Sequence, residues 1–498
     1  MRRIFRFSVL LGLAVLLSRQ VSVHGQAAPD RFITVHNDFY WIDQNGARIL
    51  TRSGCMCEFN GIFYWYGGNP RGFLEQYCYT SPDLVHWTNQ GVILRTDVET
   101  NRMTVLYNDA TRQYVMFLKY DGNGAYLGIA TSDKPQGPFT FKSKTLIDNA
   151  RIGDMTVFKD DDGTAYLCYV SWAIGINAQH GLYRMSADYM TPDKRMYLWN
   201  TAGREAPHIL KRNGIYYYGT SKTAGIRSSG TSYYTATNLE GPWTPATPLP
   251  TPGSVNSWDS QVNFIIPIQG TQGKLYMFVG DRWVKDAAAG RNGDYVWLPM
   301  EFDGNNPVLN YYQDWELNIA TGTWRKFDPT RNLAAGKPVT ASSVAGGNVA
   351  KHVTDPTTYA DYVNTHWDSG AGDPQWISVD LGAATDINRV ILKWNVNAAK
   401  EFKIQTSLDG AAWTDVYGDS QGSSSMVTDE SFPTTSARYV RMYATQRAPL
   451  PAAGFRGGRG RGGGNATSRP AIQVAAQPAT QPGRTSGYSL FDFMVLKD

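Results

Sequence analysis

Asn213-Gly214-Ile215-Tyr216-Tyr217-Tyr218 reads as a tight turn opening directly into a strand. Asn-Gly is a favoured pair for two-residue hairpin turns, and the branched and aromatic residues that follow suit a pleated, half-buried surface. The pattern recurs in Phe59-Asn60-Gly61-Ile62-Phe63-Tyr64-Trp65-Tyr66, Asn108-Asp109-Ala110-Thr111-Arg112-Gln113-Tyr114-Val115-Met116-Phe117, Asp161-Asp162-Gly163-Thr164-Ala165-Tyr166-Leu167 and Gln272-Gly273-Lys274-Leu275-Tyr276-Met277-Phe278. The turns return about every 50 residues, the length of a four-stranded propeller blade. A second element follows most of them: Thr80-Ser81-Pro82-Asp83-Leu84-Val85-His86-Trp87, Thr131-Ser132-Asp133 leading to Gly137-Pro138-Phe139, and Thr237-Asn238-Leu239-Glu240-Gly241-Pro242-Trp243. Each delivers an aromatic residue into the next strand. Helical periodicity is essentially absent, so an all-β fold with a five-bladed β-propeller is expected.

The repeat stops near Asp328. From Asn332 the pattern changes to short alternating strands of β-sandwich type. Between Pro449 and Thr485 runs a Gly/Arg and then Ala/Gln/Pro stretch that includes Arg456-Gly457-Gly458-Arg459-Gly460-Arg461-Gly462-Gly463-Gly464. It lacks the apolar residues to bury a core and is expected to be a disordered insertion at about 449–485. Tyr488 to Leu496 then resumes the sandwich. The expected organisation is a signal peptide over 1–25, a propeller over 26–328 and a sandwich over 332–498.

The signal peptide rests on Arg2, Arg3 and Arg6 ahead of an apolar run from Phe7 to Leu17, with small or polar residues after it. That run is too short to span a bilayer, so a secreted or periplasmic protein without a membrane span is expected. A net charge of +4 over 498 residues sets up no field for nucleic acid. The aromatic content, with 15 Trp and 29 Tyr, suits stacking on sugar rings as well as an all-β core. Export permits disulfides, and Cys78 pairing with Cys55 or Cys57 is the expected bridge. With no second cysteine pair and only 7 His, zinc is rejected. A monomer acting on a polysaccharide or oligosaccharide is expected.

The chain resembles glycoside hydrolase family 43, closest to its exo-β-1,3-galactanase-like branch. The carriers are Gly153-Asp154-Met155-Thr156-Val157-Phe158-Lys159-Asp160-Asp161-Asp162-Gly163, Arg204-Glu205-Ala206-Pro207, Trp258-Asp259-Ser260-Gln261, Gly280-Asp281-Arg282-Trp283 and Tyr295-Val296-Trp297-Leu298-Pro299. The likeness covers roughly residues 30 to 325, in the family's order. Beyond it, Asn332-Leu333-Ala334, Lys337-Pro338-Val339-Thr340-Ala341-Ser342-Ser343, Thr365-His366-Trp367, Gln375-Trp376-Ile377-Ser378-Val379-Asp380-Leu381-Gly382 and Ala437-Arg438-Tyr439-Val440-Arg441 are similar to discoidin, or coagulation factor 5/8 type C, domains.

An inverting glycosidase needs a carboxylic acid for the leaving oxygen and a base for water on the opposite face. Glu205 is the candidate acid, placed just ahead of a strand that Pro207 suits, and the resemblance assigns it the same role. Likeness makes Asp154 the carboxylate that orients Glu205 and raises its pKa through like charge. No Asp between Arg52 and Glu58 offers a base. The branch instead places a Gln at the water-activating position, matched by Gln261. Where that branch carries Glu-Arg-Pro-Lys this chain reads Asn101-Arg102-Met103-Thr104, and Gly68 stands where it tends to have Glu. Asn101 and Arg102 remain candidate substrate contacts, and Glu99 is near enough in sequence to substitute. Tyr107, Trp172, Trp258 and Trp283 are candidate stacking residues, core packing being the other reading for each. In the sandwich, Asp355, Thr365 and Asp492 resemble positions around a structural calcium site; catalysis itself implies no cofactor. The functional expectation is an exo-acting, inverting hydrolase of galactose-containing plant glycans such as β-1,3-galactan. The alternative is a non-catalytic glycan-binding protein with a degenerate cleft.

Overall fold

The computed structural model describes residues 31–69, 73–120, 125–171, 179–200, 203–225, 227–283, 294–355, 365–395, 397–419, 426–447 and 487–498. The expected signal peptide and the Gly/Arg insertion lie outside the described residues, as does Trp172.

Four consecutive four-stranded antiparallel sheets and a fifth of three strands account for residues 52–299. Their first strands are Arg52–Phe59, Thr100–Asn108, Ile152–Lys159, Arg204–Arg212 and Gln261–Gln269. Each first strand packs on the next, and the last packs back on the first. The hairpin signals sit where the sequence puts them. Asn60 and Gly61 have φ of 54° and 77°, and Asn213 and Gly214 have 52° and 74°, the paired positive angles of the tightest hairpin turn. Strand Ile33–His36 pairs antiparallel with Asp314–Asn318, which in turn pairs with Thr323–Lys326. The start and the end of this region are therefore stitched into one sheet.

Every first strand is broken near its beginning by a register shift: Arg52/Cys55, Asn101/Thr104, Ile152/Met155, Glu205/His208 and Val262/Phe264. At three of them a residue other than glycine takes a positive φ: Ser53 at 53°, Arg102 at 49° and Ala206 at 51°. Such bulges bend the strand and re-aim its side chains, at a backbone cost on the order of 1 kcal/mol or more each.

The expected disulfide does not form; all four cysteines are free thiols. Cys55 and Cys78 each lie opposite Tyr66, on the two strands flanking it. Two strand spacings separate them by about 9.5 Å, beyond the roughly 7 Å that a disulfide spans. Cys57 lies opposite Tyr64 and not Tyr66, and its thiol donates to the Val105 carbonyl at 3.0 Å.

Beyond Arg331 the chain forms a second all-β unit. Ser489–Leu496 lies between Trp367–Asp368 and Gln375–Trp394, followed across the sheet by Val427–Arg447, Ala399–Ser407 and Thr414–Asp419. Gln375–Trp394 and Val427–Arg447 bend where their register breaks at Asp380/Thr385. Residues from both sides of the bend, among them Ile377, Val379, Leu392, Trp394, Val440, Met442 and Phe493, share one core with Trp367.

The two units meet through buried charge. Lys393 donates to Asp314 at 2.7 Å. Arg389 reaches Asp429 at 2.6 Å, Asp498 at 2.6 Å and Glu316 at 3.3 Å. His36 bridges Asp314 at 2.7 Å and Asp429 at 3.4 Å. Beside this network Phe39 packs with Met426 and Phe491.

Candidate active site

The bulges of the second, third and fourth sheets, with the start of the fifth, bring four of the candidate residues together. Glu205 is the second residue of its strand, and the bulge falls at Ala206-Pro207 immediately after it. Its Oε1 accepts from Gln261 Nε2 at 2.7 Å and from the Ala224 backbone N–H at 3.3 Å. Asp154 Oδ2 accepts from the Ala206 N–H at 3.1 Å and pairs with Arg102 Nη2 at 2.9 Å. Lys119 Nζ lies 3.6 Å from its other oxygen.

Gln261, 1% exposed, is held at both ends of its amide. Oε1 accepts from Arg102 Nη2 at 2.7 Å and from Trp283 Nε1 at 3.1 Å. Nε2 donates to Ser221 Oγ at 3.1 Å as well as to Glu205. Arg102 thus ties the carboxylate of Asp154 to the amide of Gln261, and Gln261 carries the tie to Glu205.

The two carboxylates are driven apart in acidity. Burial pushes Glu205 above the ordinary carboxylate range and the negative charge of Asp154 adds to it, against a smaller opposing effect of Arg102. Burial works in the same direction on Asp154, but the charges of Arg102 and Lys119 outweigh it and hold Asp154 below its usual value. One carboxyl shifted up in pKa beside one shifted down is the division of labour a general acid and its orienting partner need.

Trp283 reaches the cluster through its indole N–H, with the Arg52 guanidinium over its ring at 5.4 Å. Asn101 sits on the Arg102 strand, and its buried Oδ1 has no hydrogen-bond partner among the described residues. Tyr107 is not part of the cluster. Five residues beyond Arg102 on a strand, it stands about 17 Å away at 3.4 Å per residue, and its ring packs on Tyr114 at 4.9 Å. Trp258 donates to the Leu309 carbonyl at 2.8 Å and packs on Tyr311. Arg282 is buried and pairs with Asp38, a structural position. Glu99 is exposed.

Four participants were not singled out from the sequence: Lys119, Ser221, Arg52 and Asp281. Asp281 stands opposite Gln261 on the adjacent strand and accepts the Ser53 N–H at 2.9 Å. Burial raises its pKa despite Arg52 and Arg102. Lys119 stands opposite Asn101 in the same manner, a register visible only once the strands are paired.

In the second unit, no three His, Cys, Asp or Glu side chains converge on one point among the described residues. Asp492 lies opposite Lys393 on its ladder, 3.9 Å from the ammonium. Asp355 follows the short turn Ala350–Thr354, and residues 356–364 between it and Thr365 are outside the described residues. No step is assigned to calcium.

Residues 52–278 match the model of glycosyl hydrolases family 43, and residues 338–456 that of the F5/8 type C domain. The β-D-galactofuranosidase xynD of Aspergillus niger is 31% identical over 211 residues, which are 37% of this chain and 60% of that protein. The chain thus spans less than two thirds of that relative. The exo-β-1,3-galactanase 1,3Gal43A of Clostridium thermocellum shares the fold with a TM-score of 0.54 and 28% identity, over 62% of this chain and 73% of that one. The exo-β-1,3-galactanase of Phanerochaete chrysosporium, at 22% identity and a TM-score of 0.55, covers 93% of this chain and all of its own, and is a likeness of fold. The model of glycosyl hydrolases family 43 thus matches across the strands that carry Asp154, Glu205 and Gln261, and that of the F5/8 type C domain matches behind it.

Proposed function

We propose that this protein is an exported glycosidase, built on a five-bladed propeller, that cleaves galactose-containing plant polysaccharide such as β-1,3-galactan from the chain end with inversion. The observation that carries the reading is the Asp154–Ala206–Glu205 arrangement. A buried carboxyl next to an ionised one holds its proton to higher pH than an exposed one and is able to protonate a leaving glycosidic oxygen. Arg102 fixes the charge of Asp154, and Gln261 fixes the direction of Glu205. When the glycosidic oxygen takes the place of the Gln261 amide at Glu205, that amide is released to position the attacking water. The galactanase and galactofuranosidase likenesses support galactose as the sugar. The F5/8 type C domain is assigned to holding the glycan. Export rests on the N-terminal residues, and no helix among the described residues is long and apolar enough to cross a membrane.

A second reading, a glycan-binding protein without turnover, is favoured by Asn101 and Gly68, which supply no carboxylate beside the site. Sugar release from β-1,3-galactan and from a panel of aryl glycosides, by wild type and Glu205→Gln, separates the two. Free galactose from wild type alone supports the hydrolase. Binding by both proteins with turnover by neither supports the second reading.

A further inference from the structure

Among the described residues, the cations at and beside the site outnumber the carboxylates they pair with. Arg102 and Lys119 share the single carboxylate of Asp154, at 2.9 and 3.6 Å. Arg48 and Arg52 share the single carboxylate of Asp294, Arg52 at 3.2 Å. Among the described residues, four cations therefore rest on two anions. The two further acids in the cluster, Glu205 and Asp281, are both pushed by burial toward their neutral forms.

The strand register sharpens this. Residues directly opposite on an antiparallel pair share a face and interact. Lys119 stands opposite Asn101, and Arg52 stands opposite Gly68. Neither cation has an acid as its cross-strand neighbour. At Gly68 none fits, because a Cβ there would lie 2.6 Å from the Phe73 ring and 3.0 Å from Gln76 Oε1. At Asn101 the amide oxygen is buried without a partner among the described residues, and that side chain brings Lys119 no charge. Of the four cations, Lys119 has the loosest tie. Its one ion pair among the described residues is the long contact to an Asp154 already engaged by Arg102. A half-compensated ammonium in a site shielded from water is stabilised by an anion of the ligand.

We propose that the sugar unit bound at this site carries an anionic substituent, a carboxylate or a sulfate ester, and that Lys119 is the residue that meets it. The inference rests on the glycosidase reading for its location and names the substrate class of that same site. A surplus of positive charge disfavours an unsubstituted hexose only weakly but favours an acidic one strongly, because the anion completes the ion pair that the protein leaves short at Lys119.

The test compares 4-nitrophenyl β-D-galactopyranoside with its C6 carboxylate and its 6-sulfate, using wild type, Lys119→Met, Lys119→Gln and Lys119→Arg. Calorimetry on Glu205→Gln measures the binding of galactose, galacturonate and galactose 6-sulfate. Wild type is expected to show kcat/KM at least about tenfold higher on one anionic glycoside, roughly 1.4 kcal/mol. The preference should shrink in Lys119→Met and Lys119→Gln, survive in Lys119→Arg and weaken with salt. Carboxylate and sulfate are told apart by which arm gains. Turnover that favours the neutral glycoside, with a ratio unchanged at Lys119, overturns this inference and leaves the hydrolase standing. No turnover of any substrate overturns the hydrolase. In that case, equal binding of charged and neutral sugars overturns this inference too, and tighter binding of an acid through Lys119 sustains it.

Discussion

Asp154 accepts, at 3.1 Å, the backbone N–H of Ala206, the residue that immediately follows Glu205. The bond joins the third sheet to the fourth at the bulge that aims Glu205, so one carboxylate both places the acid and charges its surroundings. The fifth sheet makes the same stitch to the first, where Asp281 accepts the N–H of Ser53 at 2.9 Å.

Asp154→Asn keeps an oxygen able to accept that N–H and removes the charge. Asp154 raises the Glu205 pKa, so its loss lowers it, and the alkaline limb of kcat/KM on a glycoside substrate should move to lower pH. A pH–rate profile checks this; an unmoved limb with reduced rate assigns Asp154 to placement alone.

Glu205→Gln removes the proton donor. The expected loss is about 10²- to 10⁴-fold on substrates with poor leaving groups, and much less on 2,4-dinitrophenyl glycosides, whose leaving group needs no proton. Equal losses on both would remove Glu205 from the acid role.

The charges between the two units should govern stability against pH. Burial works against ionisation of Asp314 and Asp429, but Lys393, Arg389 and His36 hold both well below the usual carboxylate range. Their contribution is complete above about pH 4 and is lost as pH falls through the lowered values. His36 runs the other way. Burial opposes its protonation, yet its hydrogen bonds to the carboxylates of Asp314 and Asp429 win and raise its pKa. Its contribution is full below about pH 6.5 and disappears as pH rises through the raised value. Melting temperature should therefore fall on both sides of a plateau, and His36→Gln should flatten the alkaline fall.

Lys393→Met leaves Asp314 buried beside His36 without its ammonium. Breaking a buried pair in this way costs about 3–5 kcal/mol, read as a shift of the urea unfolding midpoint. A change below 1 kcal/mol would show the interface to be hydrated.

Alkylation of the unfolded protein without reductant should label all four cysteines, and dithiothreitol should leave the melting temperature unchanged.

What the sequence discloses here is local. Asn60-Gly61 and Asn213-Gly214 carry their turn geometry in two adjacent residues, so the repeat and its period are legible. Glu205, Asp154 and Gln261 are legible through the motifs around them. The bulges are not, because Ser53, Arg102 and Ala206 take positive φ without glycine and owe it to the packing of neighbouring sheets. Lys119 stays hidden for a related reason: its place follows from pairing with Asn101 across a hairpin. The Cys78 bridge and Tyr107 as a sugar platform fail on register and on distance along a strand.

The short sheet that joins Ile33–His36 to Asp314–Asn318 also supplies Asp314, Glu316, His36 and Thr34 to the second unit, and receives Lys393, Arg389 and Asp429 in return. The strands that fasten the first unit's two ends are thus the strands on which the second unit stands. A chain cut after Lys326 would keep the whole family 43 match, yet strip that fastening of its counter-charges and bare Phe39. The border between the two family matches is a border of ancestry and not of folding, and the second unit is a buttress rather than a detachable hook.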